Sequence, residues 1–89
     1  MAWKIEIHSD AQRDMDKLDA QIAQHILRFL DQRVARLENP RSVGEPLTGP
    51  ELGHLWRYRV GDYRILCDIR DKQVVVLVIH IGHRREVYR

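Results

Sequence analysis

The sequence predicts an α+β domain in the order β-α-α-β-β-β(-β), with two N-terminal helices packed on one face of a small antiparallel sheet. Three observations predict it. Apolar residues recur at spacings of three and four between residues 11 and 37. Alternation of period two brackets that stretch, at residues 3–8 and again from residue 55 onward. The two regimes are separated by residues 40–53, which hold all three prolines and three of the five glycines. At 89 residues the chain allows one domain, 1–89.

Each element follows from local chemistry. Trp3 to His8 alternates apolar and polar, as a half-buried strand does. Ser9 with Gln12 three residues on reads as a capping box opening a first helix over Ala11, Met15 and Leu18. Asp19 reads as a second N-cap. Ile22, Ile26, Phe29, Leu30, Val34 and Leu37 then form one apolar face, and Asn39-Pro40 ends the helix because the residue before proline avoids helical backbone. Leu47 and Leu52 are expected to pin the following loop to the core. Leu55 to Val60 is a strand with Trp56, Tyr58 and Val60 on one face and Leu55, Arg57 and Arg59 on the other. Gly61-Asp62 is a hairpin turn, because glycine can take the positive φ that such turns require. Tyr63 to Arg70 is the return strand, and Asp71-Lys72 a second tight turn. Gln73 to Ile81, β-branched on both faces, is a strand buried on both sides and ended by Gly82. A short final strand is expected at Glu86–Tyr88.

Composition excludes several classes. The longest apolar run, Val74 to Ile79, is far shorter than the roughly 20 residues of a membrane span. The start of the chain lacks the apolar stretch of a signal peptide, so a cytoplasmic location is expected. The single cysteine, Cys67, cannot form an internal disulfide, which fits a reducing compartment. On its strand it shares a face with Tyr63, Ile65 and Ile69 and reads as a small buried apolar residue. No spacing of Cys and His resembles a metal site, and no glycine-rich phosphate loop is present; neither metal nor cofactor is expected.

Charge is unevenly distributed. Residues 1–53 carry seven Lys+Arg and nine Asp+Glu, a net of −2; residues 54–89 carry eight and four, a net of +4. Twelve of the 15 basic residues are arginine. Arginine's planar fork grips phosphate with two hydrogen bonds, so the C-terminal part is a candidate nucleic-acid surface, with an arginine-preferring genome as the plain alternative. Period two puts Arg57 and Arg59 on the face away from the helices, and Arg64 lies just across the hairpin. Three guanidinium groups there suit an anion; the alternative is ordinary pairing with Asp62, Asp68 or Asp71. His83, Arg84, Arg85 and Tyr88 follow Gly82 directly. An imidazole, guanidinium groups and a phenol beside a phosphate site suit cleavage of RNA by its own 2′-hydroxyl, which needs a base, cations on the phosphorane and an acid, and no metal. The alternative is a solvated C-terminus. His8, His25 and His80 read as surface or helix-facing residues, and His54 could approach the site.

Pro46-Leu47-Thr48-Gly49, Leu55-Trp56-Arg57-Tyr58-Arg59, Gly61-Asp62-Tyr63-Arg64-Ile65 and Ile81-Gly82-His83-Arg84-Arg85-Glu86-Val87-Tyr88, in this order and spacing, resemble the RelE group of the RelE/ParE toxin superfamily. The resemblance spans the whole chain. It implies a curved antiparallel sheet with helices on one face, ribosome-dependent cleavage of mRNA at the decoding (A) site, and inhibition by a RelB-like antitoxin, the complex binding operator DNA through the antitoxin. Position by position, it implies that Arg64 contacts the scissile phosphate, Arg84 stabilises the transition state and Tyr88 stacks on and orients the substrate. Arg57, Arg59 and Arg85 are the further phosphate contacts expected. Arg57 and Arg59 stand where the best-known members have lysines, one of which is implicated as the general base. Arginine cannot readily give up a proton near neutrality. His83 is the substitute by its ordinary pKa, with Tyr88 or His54 behind it. The tail is also shorter between Arg84 and Tyr88 than in those members. Two other functions are compatible with the same residues: a ParE-like inhibitor of DNA gyrase that cleaves nothing, and a decayed toxin that only partners its antitoxin.

Overall fold

In the computed structural model, which describes residues 2–50 and 52–83, the first alternating segment becomes strand β1 (Lys4–Ile7), with Ile5 and Ile7 half-buried and Lys4 and Glu6 exposed. Helix α1 (Ser9–Asp16) follows at once. Its N-cap is His8, not Ser9: the His8 Nδ1 accepts from the Asp10 N–H at 3.1 Å, so Ser9 is already helical. Gln12 does not reach back as a capping box would, but donates to Asp16 one turn on. Asp19 caps helix α2 (Ala20–Gln32) as expected, accepting from the Gln21 N–H at 3.2 Å. α2 stops at Gln32, before the proline. A 3₁₀ turn at Val34–Arg36 takes over, and its Ala35 carbonyl accepts from the Trp3 N–H at 2.7 Å, which ties the end of the helix pair to the start of β1.

The sheet is completed by β2 (Glu45–Pro46), β3 (Trp56–Val60), β4 (Tyr63–Arg70) and β5 (Val75–His83), in the order β1-β5-β4-β3-β2. The expectation of a wholly antiparallel sheet needs correction. β2 to β5 are antiparallel, but β1 lies parallel to β5, from Lys4↔Val75 to Ile7↔Val78. A parallel pair needs a long crossover, and here the helices and the meander supply it. β2, inside the predicted loop, is an addition: a two-residue strand that pairs Glu45 with Arg57 and Pro46 with Trp56.

One face of the sheet carries the main core. Ala11 and Met15 of α1, Ile26 and Leu30 of α2, and Val34 close over Tyr58, Ile65, Cys67, Val76, Val78 and Ile81. The other face is not fully open, since Leu47, Leu55 and Leu66 bury one another there with Ile79 against them. Leu47 therefore pins the loop, but Leu52 does not. The loop turns on itself through the Gly53 N–H to Gly49 carbonyl bond (2.9 Å), which leaves Leu52 40% exposed and puts Leu55 in the cluster instead.

Two more expectations are corrected at the ends of β5. The β4–β5 connection is a 3₁₀ turn at Asp71–Gln73, and Val74 closes it at φ 57°, a strained value for a β-branched residue. Arg41 grips Asp71 with two hydrogen bonds of 2.9 and 3.0 Å, which holds this turn against the turn at Pro40–Ser42. At the other end Gly82 does not stop the strand: it pairs with Arg64, and β5 runs on to His83. The final strand expected at Glu86–Tyr88 lies outside the described residues.

Tyr58 joins these layers. Fully buried, it meets the Phe29 ring edge-on at 5.9 Å, and its hydroxyl donates to the Pro40 carbonyl at 2.6 Å. Burial pushes its hydroxyl pKa well above the ordinary tyrosine range, so it stays a donor. Replacing Tyr58 by Phe leaves the buried Pro40 carbonyl unsatisfied. The expected loss is about 1–3 kcal/mol of stability in urea unfolding, with the denaturant dependence unchanged.

Candidate functional site

The β3–β4 hairpin builds the site. Gly61 takes φ 58° in the two-residue turn, and this sets Val60 opposite Tyr63, Arg59 opposite Arg64 and Arg57 opposite Leu66. On the next strand Gly82 faces Arg64 and His80 faces Leu66. Antiparallel partners share a face. Arg57, Arg59, Arg64 and Gly82 therefore lie away from the main core, while Trp56, Tyr58 and Ile65 face it, as the alternation predicts. Arg59 and Arg64 stand directly opposite, an arrangement that costs about 0.2–1 kcal/mol by repulsion when nothing bridges the charges. Beside them Gly82 has no side chain to cover the backbone.

The sequence reading missed Glu45. β2 brings it opposite Arg57, where Oε1 accepts from Arg57 Nη2 and lies 3.4 Å from Arg59 Nη2. The Arg57 side chain is only 15% exposed, against 62% for Arg59. The two arginines thus differ in kind: Arg57 is packed into the surface, and Arg59 projects from it. Gly44 makes this approach possible. At φ 84° it lies so close to β3 that a Cβ would sit 2.5 Å from the Arg57 carbonyl oxygen and 2.6 Å from Trp56 Nε1. Trp56 Nε1 donates to the Val43 carbonyl at 2.8 Å and fixes the same strand from the other side. The signal available in the sequence was a glycine just before an acid in a loop, which names no partner. Of the three aspartates offered as alternative partners of the row, two pair elsewhere: Asp68 with Arg70 at 3.2 Å, and Asp71 with Arg41. Arg41 holds the Asp71 carboxyl below its usual range by hydrogen bonding.

A cleft of about 390 Å³ opens beside this group, lined by Glu45, Arg57 and Arg59 together with Phe29, Arg33 and Val43. Arg33 brings a further cation from the end of α2. The remaining predicted residues are divided. His83 pairs with Tyr63, the two rings meeting edge-on at 5.5 Å, so its imidazole is on the opposite side of the sheet from Arg59 and Arg64. Arg84, Arg85 and Tyr88 lie outside the described residues. His54 is exposed in the turn before β3, His25 is exposed on α2, and His80 sits against Asp14 of α1 at 2.7 Å. Cys67 is completely buried, and burial pushes its thiol far above the range in which a thiolate forms. Among the described residues no three His, Cys, Asp or Glu side chains converge on a point that could hold a metal. No helix among them is long and apolar enough to cross a membrane.

Residues 5–88 match the family model described as the ParE toxin of type II toxin–antitoxin systems. Toxin RelG of Mycobacterium tuberculosis is 32% identical over 89 residues, a match that spans all of this chain and 99% of that protein. The chain belongs to the RelE/ParE family of type II toxins. Toxin RelE of the same organism is 34% identical over 87 residues, covering 98% of this RelE-family toxin and 87% of its relative. The fold agrees. The toxin–antitoxin complex RelBE2 of M. tuberculosis superposes with a TM-score of 0.85 at 29% identity, over 97% of this chain and 95% of that one. The isolated Escherichia coli RelE toxin gives 0.70 at 19% identity, over 92% and 84%, a likeness of fold.

Gly44 offers a direct test of how Glu45 is placed in this RelE-family toxin. Gly44→Ala adds a Cβ at a strained φ and against two groups that cannot easily move. The expected result is a loss of about 1–3 kcal/mol in denaturant unfolding. Detachment of β2 should show as faster hydrogen exchange of the Arg57 and Leu47 amides, with the Ile65 amide unaffected.

Proposed function

We propose that this RelE-family toxin is an endoribonuclease that cuts ribosome-bound mRNA and so stops translation. The observation that carries this reading is the register pair Arg59–Arg64 on one face of the sheet, with the Glu45 carboxylate against Arg59. A scissile phosphate held by Arg59 and Arg64 gains charge-assisted hydrogen bonds, stronger than neutral ones.

In the proposed reaction a base removes the proton of the 2′-hydroxyl. The 2′-oxygen then attacks phosphorus, the P–O5′ bond breaks, and the leaving 5′-oxygen takes up a proton. The products are a 2′,3′-cyclic phosphate and a 5′-hydroxyl, and the chemistry requires no metal. Negative charge grows on the phosphorane, where fixed guanidinium groups are most effective. Arg59 and Arg64 supply this from the sheet; Arg84 and Tyr88 are proposed, on the family resemblance, to complete it by stabilising the transition state and stacking the substrate. Glu45 is the base that the geometry favours, because it shares a face with the phosphate site. His83 is the alternative and would have to act round the end of β5. Arg57, held by Glu45, and Arg85 are proposed as flanking phosphate contacts.

The proposed partner is a RelB-like antitoxin, since the superposing structures include toxin–antitoxin complexes. Ribosome and mRNA are the proposed targets in the cytoplasm, and operator DNA is reached through the antitoxin. A gyrase inhibitor of the ParE type is the competing function. The matched family model is named for ParE, so fold and family leave that reading open. The arginine row with its carboxylate favours the nuclease, because a non-catalytic inhibitor has no evident need of it.

The test is expression from a tight promoter in bacteria with mapping of mRNA 5′ ends. New ends inside translated codons are expected. They should fall by about 100-fold or more in an Arg64→Ala, Arg84→Ala double variant, the usual cost of removing charge stabilisation. Growth arrest with intact mRNA and induced DNA damage would instead establish gyrase inhibition. With ribosomes and mRNA in vitro, loss of cutting in Glu45→Gln but not in His83→Ala assigns the base to Glu45, and the reverse pattern assigns it to His83.

A further inference from the structure

β5 outruns its neighbour. β1 ends at Ile7, paired with Val78, and the last main-chain bond between the strands runs from the His8 N–H to the Val78 carbonyl at 2.8 Å. β5 continues through Ile79, His80, Ile81 and Gly82 to His83, and no strand covers that edge among the described residues. The register against β4 also slips here: Cys67 faces Val78 while Leu66 faces His80, so Ile79 is an extra residue in a bulge. A bulge followed by an uncovered edge is a weak point in a ladder. It is also where the strand carries Gly82 past Arg64 and leads into Arg84.

One side chain covers the gap. Asp14, on α1, lies 67 residues away in sequence; its Oδ2 accepts from the Ile81 N–H at 3.0 Å and lies 2.7 Å from His80 Nδ1. The carboxylate is 21% exposed, so both contacts are partly shielded from water. Lys17 just after α1, Tyr63 of β4 and His83 of β5 line the same cleft and add to its polar surroundings.

We propose that Asp14 is a positioning residue for the cleavage site. Along the stretch of β5 that β1 does not cover among the described residues it takes the place of a strand partner, holds Ile81 and His80, and through them sets the position of Gly82. The proposal rests on the ribonuclease reading above. Asp14 touches no substrate, so its loss should reduce the rate of reaction rather than the binding of RNA. A misplacement of about 1 Å in a reacting group can cost on the order of 100-fold in rate.

The experiment compares wild type, Asp14→Ala and Asp14→Asn, each as the full chain. Three quantities are read: hydrogen exchange of the Ile81 amide against the Ile65 amide, affinity for a 2′-O-methylated RNA that cannot be cut, and the cleavage rate on ribosomes loaded with mRNA. For Asp14→Ala the expected result is faster exchange at Ile81 alone, unchanged affinity and a cleavage rate lower by about 100-fold. Asp14→Asn, which keeps an acceptor oxygen, should restore most of the rate. The proposal is overturned if Ile81 exchange is unchanged, if Asp14→Ala cleaves at the wild-type rate, or if affinity and rate fall together as in general misfolding. Equal damage in Asn and Ala also overturns it, since the hydrogen bond would then not be the cause. A wild-type chain that never cuts mRNA brings down the ribonuclease reading, and the positioning role with it; the exchange data still report separately on the Ile81 contact.

Discussion

The register of β3 against β4 is the constraint on which the site depends. It is set by a two-residue turn whose first residue, Gly61, takes a positive φ. A slip of β3 by one residue would turn Tyr58 to the outside and send Arg57 and Arg59 into the core. The buried side of the ladder prevents this. Tyr58, Ile65 and Cys67 are each completely buried, and the Tyr58 hydroxyl has one specific partner in the Pro40 carbonyl. The apolar face thus fixes the position of the charged one. Arg59 and Arg64 meet because their neighbours in sequence must be buried, and no attraction between them is needed.

That arrangement gathers like charges on a small surface, and the fold limits the resulting repulsion unevenly. Glu45 neutralises the packed Arg57 and reaches the projecting Arg59 only at 3.4 Å. Arg57 is thereby tied into the structure, while Arg59 is less firmly committed. On the proposed ribonuclease reading, an incoming phosphate would compete for the weaker contact rather than for the stronger one. The strand that supplies Glu45 is only two residues long and is held by Gly44, by the Val43 carbonyl and by the small cluster around Leu47. The second cluster therefore does more than cover apolar surface, because it keeps the loop where its carboxylate is useful.

Much of this was legible in the residues. Asp19 as a cap, the Gly61-Asp62 turn, the inward Trp56 and Tyr58 and the outward Arg57 and Arg59 all follow from local rules with short range. The failures share a different cause. His8 replaced Ser9 as the cap because an imidazole nitrogen happened to reach the Asp10 amide, a geometry that cap statistics do not favour. The parallel pairing of β1, the two-residue β2 with its Glu45, and the Asp14–Ile81 contact depend on segments far apart in the chain. Nothing in a window of ten residues specifies them. Ile79 is similar: alternation sets a face for each residue in turn, and a single inserted residue resets the phase without any mark in a run of β-branched residues.

The division of labour between the two faces explains how one fold can serve unlike toxins. The helices, Tyr58 and the inward residues of β4 and β5 hold the main core on one side. Arg59, Arg64 and Gly82 lie on the other, and their side chains contribute little to that core. Substitution at such positions can change or abolish chemistry while stability stays nearly constant, so a nuclease and a non-catalytic inhibitor can share the scaffold. Arg57 and Gly44 are the exceptions, because one is packed into the surface and the other admits a strand at a distance no side chain would allow. Where the charged face and the backbone are coupled in this way, activity and stability cannot vary independently. At the far end of β5 the contact is local instead: Asp14, on a helix of the core side, accepts from the Ile81 N–H at the strand edge.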